Sequence, residues 1–148
     1  MRAAPPSARR GTTLLEQLIV LAIVGILAAL ALPAAWGAAD RQAARLAARE
    51  VALLLSAARQ TAATTLDGAA VHFDSAAAAV RVAAAGSTVR AVDLRARYGV
   101  ALAATRDSLA YDARGLGIGA ANVTVILRAR QAAETLVVSR LGRLRGGP

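Results

Sequence analysis

The 148-residue chain has no cysteine and no lysine, a single histidine and few aromatic residues. Without cysteine it forms no disulfides and offers no thiolate. His72, the one histidine, has no Cys partner at ligand spacing, so neither a metal site nor another cofactor is expected. One His and no Lys leave little from which to build general acid–base chemistry. No Ser/His/Asp arrangement follows from spacing either, so the chain does not read as an enzyme. Asp107 and Asp112 flank a candidate strand and read as turn residues, not as a catalytic pair. Phe73, Trp36, Tyr98 and Tyr111 are the only aromatics, which leaves few platforms on which single-stranded bases could stack.

What is present is alanine, arginine and one long greasy run. All 18 basic residues are Arg, against 9 acids, for a net charge of +9. Such a chain suits anionic surfaces, but charge alone names none of them. Residues 17–39 are 23 consecutive uncharged positions, mostly Leu, Ile, Val and Ala. As a helix this run is about 34 Å long, enough to cross a hydrocarbon layer of about 30 Å. Arg9 and Arg10 stand before it and Glu16 sits at its head. The Arg pair orients the C-terminal bulk to the outside of the membrane.

Two processing schemes fit that orientation. In one, a secretory signal is removed behind the apolar run, at the small residues around Ala35-Trp36-Gly37-Ala38-Ala39. In the other, the cut falls after Gly11 and the helix stays with the protein. Glu16 weighs against the first, because a carboxylate at the head of an apolar segment is costly and a discarded signal has no use for it.

Helical periodicity continues past Ala39. At about 100° per residue, Arg41, Arg45, Arg49, Ser56 and Arg59 share one face, and Ala43, Ala47, Val51, Leu54, Ala58 and Ala62 lie opposite. The spacing predicts one helix of some fifty residues ending near Leu66-Asp67-Gly68, with Gly68 as its C-cap. The Arg face reads as its solvated side. Gly25 and Pro33 fall inside the helix, and a bend is expected at Pro33.

From Ala69 the texture changes to short β-type runs, at residues 70–74, 79–84, 88–94, 100–104 and 109–112. A hairpin follows, with Val123, Val125 and Leu127 on one face, a connection over residues 131–134, and a return strand over 135–141. Gly115, Gly117 and Gly119 form a GxGxG with no helix pattern after it, so it reads as a flexible turn and not a nucleotide cradle.

The segment Gly11-Thr12-Thr13-Leu14-Leu15-Glu16 resembles the processing site of type IV prepilins and type II secretion pseudopilins. These have a basic leader, a Gly, a cut, an apolar first residue and Glu fifth in the mature chain. Gly25 and Pro33 match the positions of that family's helix glycine and proline. One departure is Thr12, where the family usually has Phe. Further on, Tyr111-Asp112-Ala113-Arg114-Gly115, the late hairpin and Ser139-Arg140-Leu141-Gly142-Arg143-Leu144-Arg145 are similar to the end of GspH/FimT-type minor pseudopilins.

The resemblance implies an α+β, pilin-like fold: a long N-terminal helix, transmembrane in its first half, on a small antiparallel β domain. The implied divisions are a leader over residues 1–11, a membrane or filament-core helix over 12–39, its amphipathic continuation over 40–67, and a β domain with a basic tail over 68–148. It implies cleavage after Gly11 by a prepilin peptidase and methylation of the Thr12 amine. It also implies a single-pass place in a bacterial inner membrane, with the β domain outside. The other partners it implies are fellow pilin or pseudopilin subunits, a platform protein and an assembly ATPase.

Glu16 then has a physical role as an assembly key. The Thr12 amine lies about 6 Å up the helix, and in a filament an axially shifted neighbour can bring its own amine to this carboxylate. Two alternatives stay open. Arg140, Arg143 and Arg145, with Arg128 and Arg130 from the hairpin, make a basic patch able to meet phosphates, similar to the DNA-contacting Gly-Arg-X-Arg tail of FimT-type pilins. The chain could instead be a secreted soluble β protein whose signal is discarded.

Overall fold

The computed structural model describes residues 13–119, 122–139, 141 and 143–146. A single helix, α1 (Leu14–Thr65), runs through Gly25 and Pro33. After it come β1 (Ala69–Asp74), β2 (Ala79–Ala84), β3 (Ser87–Asp93), α2 (Leu94–Tyr98), β4 (Ala101–Ala104), β5 (Ser108–Tyr111), β6 (Val123–Arg128), β7 (Ala133–Val138) and β8 (Leu144–Arg145). The chain divides within α1 into a unit ending at Trp36 and a unit beginning at Gly37.

The second unit is built on the lower half of α1. Ala44, Ala47, Ala48, Val51, Leu54, Leu55, Ala58 and Ala62 form its buried stripe, at the spacing of one helix face. Five of these eight are Ala. Two four-stranded antiparallel sheets supply the other side, in the orders β3-β2-β1-β5 and β4-β6-β7-β8. Val71, Phe73, Val80, Val82, Leu109 and Tyr111 come from the first sheet, and Leu102, Val123, Val125, Leu127, Leu136 and Val138 from the second. Each set alternates along its strands, as a sheet buried on one face requires. Among the described residues the core holds no buried charged or polar residue.

Several boundaries differ from the sequence expectation. The helix stops at Thr65, and Leu66 takes the left-handed conformation (φ 58°) that was assigned to Gly68. Gly68 is also left-handed (φ 75°), but its freedom serves β1: a Cβ there would lie 2.9 Å from the Tyr111 carbonyl. The run over 88–94 is cut at Asp93, because the Asp93 carboxylate accepts from the Ala96 N–H at 2.8 Å and starts the short helix α2. Gly99 in the left-handed region closes it. The hairpin connection lies over residues 129–132, with β7 beginning at Ala133 and ending at Val138, not Leu141.

Hydrogen bonds hold the first part of the GxGxG loop. Asp112 Oδ1 accepts from the Arg114 and Leu116 N–H groups at 2.9 and 2.8 Å, and Gly117 bridges back to Tyr111. Asp112 is therefore a turn residue, as read from the sequence.

Candidate functional site: the apolar helix and the arginine strand edge

Two features stand out once the core is assigned. The first is the upper part of α1. Over residues 14–36 no side chain is buried, and thirteen large apolar residues from Leu14 to Trp36 are exposed. Covering each would contribute about 1.5 kcal/mol or more, so the run forgoes of order 20 kcal/mol when left in water. That exceeds the net stability of a typical domain, about 5–15 kcal/mol. This segment is made for an apolar environment, by length and composition enough to cross a membrane.

Thr13 caps the head of this run. Its carbonyl accepts from the Gln17 N–H at 3.2 Å, and its hydroxyl accepts from the Glu16 N–H at 3.2 Å. Thr13-x-x-Glu16 is the capping-box spacing, a signal present in the sequence but not drawn from it above. The Glu16 carboxylate, in the first turn, faces the positive end of the helix dipole. Gly11 and Thr12 lie outside the described residues.

The second feature is the C-terminal strand edge. Arg145 and Leu144 of β8 pair with Val137 and Val138 of β7. The Ser139 hydroxyl accepts from the Arg143 N–H at 3.1 Å, and the Ser139 N–H donates to the Arg143 carbonyl at 2.9 Å. Leu144 packs against the core, while Arg143 and Arg145 line one depression of about 460 Å³ with Val137 and Leu141. Arg140 lies outside the described residues.

Arg128 and Arg130 do not join them. Arg145 is aligned through Val137 with Thr124, four strand positions from Arg128, or about 13 Å. Along the second sheet the backbones of Arg128 and Arg145 thus stand apart, and Arg128 and Arg130 line a different depression from Arg143 and Arg145.

The Arg face of α1 is exposed, as expected, and makes contacts as well. It is not merely solvated: Arg45 Nε sits 3.3 Å from Glu134 Oε1 on β7. One turn earlier, Asp40 Oδ2 accepts from the Gln131 N–H at 3.2 Å. Gly115 brings its backbone so close to Arg59 that a Cβ would lie 3.0 Å from Arg59 Cγ.

Glu50, unremarked in the sequence, ties α2 to α1. The Tyr98 hydroxyl donates to its Oε2 at 3.3 Å, and Arg97 Nη1 lies 3.8 Å from its Oε1. Arg97 also stands 5.7 Å over the Tyr98 ring. Desolvation and the neighbouring Glu50 charge raise the Tyr98 pKa. Burial raises that of Tyr111, with the Arg59 charge opposing.

No group of three or more His, Cys, Asp or Glu that could hold a metal occurs among the described residues. His72 is exposed in β1, aligned with Arg81 and Ser108 on the strands beside it.

No known sequence family and no curated protein matches the chain. Solved structures do. The type IV minor pilin FimU of Pseudomonas aeruginosa is 19% identical, with a TM-score of 0.58 over 71% of this chain and 88% of that one. A second crystal form of FimU gives 0.56 at 18% identity, over 69% and 90%. The minor pseudopilin EpsH from the type 2 secretion system of Vibrio cholerae gives 0.54 at 13% identity, over 70% and 94%.

This is a pilin-like fold.

In it the long N-terminal helix and the small antiparallel domain expected from the sequence are both present. By their descriptions these neighbours are a type IV minor pilin and a minor pseudopilin of a type 2 secretion system.

Proposed function

We propose that the chain is a membrane-anchored minor pilin or pseudopilin, a structural subunit held and assembled through its N-terminal helix. The observation that carries the reading is the unburied apolar run of α1, continuous with the helix on which the outer domain is built. A bilayer, or a bundle of like helices, would cover that run. On this reading a prepilin peptidase cuts after Gly11, and Thr12 is the first residue of the mature chain, with its amine methylated. Residues 12–39 anchor the subunit in the inner membrane, and residues 68–148 with the helix over 40–67 stand outside. An axially displaced neighbour brings its amine to Glu16. A platform protein and an assembly ATPase complete the machine.

Sequencing the N-terminus of the mature protein tests this directly. Thr12 is the expected first residue. A start near Asp40 would instead indicate a soluble protein with a discarded signal.

A second reading, a pilin that also binds DNA, is favoured by one observation: Arg143 and Arg145 share a single depression. Phosphate-only contacts by two Arg should give weak duplex binding with a shallow salt dependence, a slope in log–log form of about −2. Loss of binding in Arg143→Ala/Arg145→Ala would support it, and unchanged binding would exclude it.

A further inference from the structure

The connection between β6 and β7 does not point into open solvent. Its Gln131 N–H donates to Asp40, and the Gln131 side chain lies beside Gly37, where an added Cβ would come within 3.8 Å of Oε1 and 3.6 Å of Arg41 Nη1. The turn therefore sits level with residues 37–40 of α1, which directly follow the apolar run, with its Trp36, in the sequence. Trp is the residue type that marks a membrane–water boundary.

The charges at this level are unequal. Asp40 is occupied by the turn's backbone, and the Arg45–Glu134 pair neutralises itself. Arg41, Arg128 and Arg130 are exposed and, among the described residues, have no acidic partner within ion-pair distance. With Asp40 counted, two positive charges are left over. Arg128 and Arg130 also flank a hollow of about 260 Å³ bordered by the turn itself, with Ala129, Ala132 and Ala133 as its remaining walls beside Gln131.

We infer that Arg41, Arg128 and Arg130 form a basic collar that seats the β6–β7 turn on the phosphates of an anionic phospholipid surface. The helix end fixes the depth, and the Asp40–Gln131 and Arg45–Glu134 contacts hold the turn at that depth. A bilayer is favoured over a soluble phosphate because Arg41 closely follows the apolar run in the sequence and the hollow beside Arg128 and Arg130 is shallow and open. The inference rests on the reading that α1 crosses a membrane.

The natural absence of cysteine makes the test clean. The full chain carrying Ala133→Cys, an exposed position at the turn, is labelled with a fluorophore. It is reconstituted in bilayer discs of phosphatidylcholine alone, or with about a quarter phosphatidylglycerol, each with a headgroup-attached nitroxide quencher.

Quenching should be several-fold stronger in the anionic discs. The preference should fall by up to about fivefold for each Arg replaced by Gln at positions 41, 128 and 130. It should also weaken at about 0.5 M salt, where the screening length is about 4 Å. Equal quenching in both lipids, or a lipid-charge preference that survives Arg41→Gln/Arg128→Gln/Arg130→Gln, overturns the collar. So does quenching that tracks the protein-to-lipid ratio and not lipid charge, which would assign the turn to a second copy. Competition by inorganic phosphate at millimolar level in detergent, with no lipid-charge preference in discs, would assign the site to a free anion and also overturn it. A chain that fails to stay with the discs at all refutes the membrane anchor, a different failure.

Discussion

Tyr98 and Tyr111 have the alkaline range almost to themselves. Cys and Lys, which titrate near pH 8.5 and 10.4, are absent, and Arg stays charged. Both hydroxyls are raised above their ordinary value of 10.0, Tyr98 by desolvation and Glu50, Tyr111 by burial. The folded state therefore holds these protons more tightly than the unfolded one. Stability should be unaffected below pH 10 and fall as pH rises through the raised values. Thermal melts across that range, read against Tyr98→Phe/Tyr111→Phe, check it: the variant should lose most of the slope. Asp93 gives a second residue-level expectation. Asp93→Ala removes the α2 cap and should cost about 1 kcal/mol in urea unfolding. Arg45→Ala should cost well under that, because Arg45 is half exposed and screened.

At the scale of elements, the stripe on α1 predicts the largest losses. Leu54→Ala, at a fully covered position of the core, should destabilise by about 2–5 kcal/mol through the cavity it leaves. That stripe was legible beforehand, because a 3.6-residue period repeats over several turns: Ala47, Val51, Leu54, Ala58 and Ala62 all fall on the buried side. Strand positions were legible for the same reason of alternation, as in Val123, Val125 and Leu127. What was hidden is mostly non-local. Nothing near Arg45 in the chain announces Glu134, 89 residues away. The separation of Arg128 from Arg145 depends on strand register, which neither residue carries in its own surroundings. The short helix α2 was missed because β-type residues run up to Leu94, and Asp93 looks like a separator until its carboxylate meets the Ala96 N–H. The return strand was placed late because Ala133 and Glu134 are poor β formers, and pairing with Arg128 and Leu127 overrides that preference.

On the scale of the whole molecule, the chain joins a folded domain to a helix that water does not suit. A single carboxylate does not change that balance: on insertion scales a charge costs about 3 kcal/mol within a bilayer, against the order of 20 kcal/mol gained by covering the run. Glu16→Gln should therefore leave the protein membrane-bound, as read by carbonate extraction, while lowering filament assembly. Normal assembly of that variant would remove the register role. Gln also keeps a capping-box side chain at this position, so a defect would report the charge and not a frayed helix.

The sheet margins bear on crowding. β3 is exposed except at Val92 but carries Arg90 and Asp93; β4 has four residues and β8 only two; the margin beside β5 is covered by the Gly117 bridge. Short or charged borders resist the strand-to-strand zippering that packed copies would otherwise risk. In the filament proposed above, neighbouring domains could thus stand shoulder to shoulder without fusing into an amyloid-like ribbon.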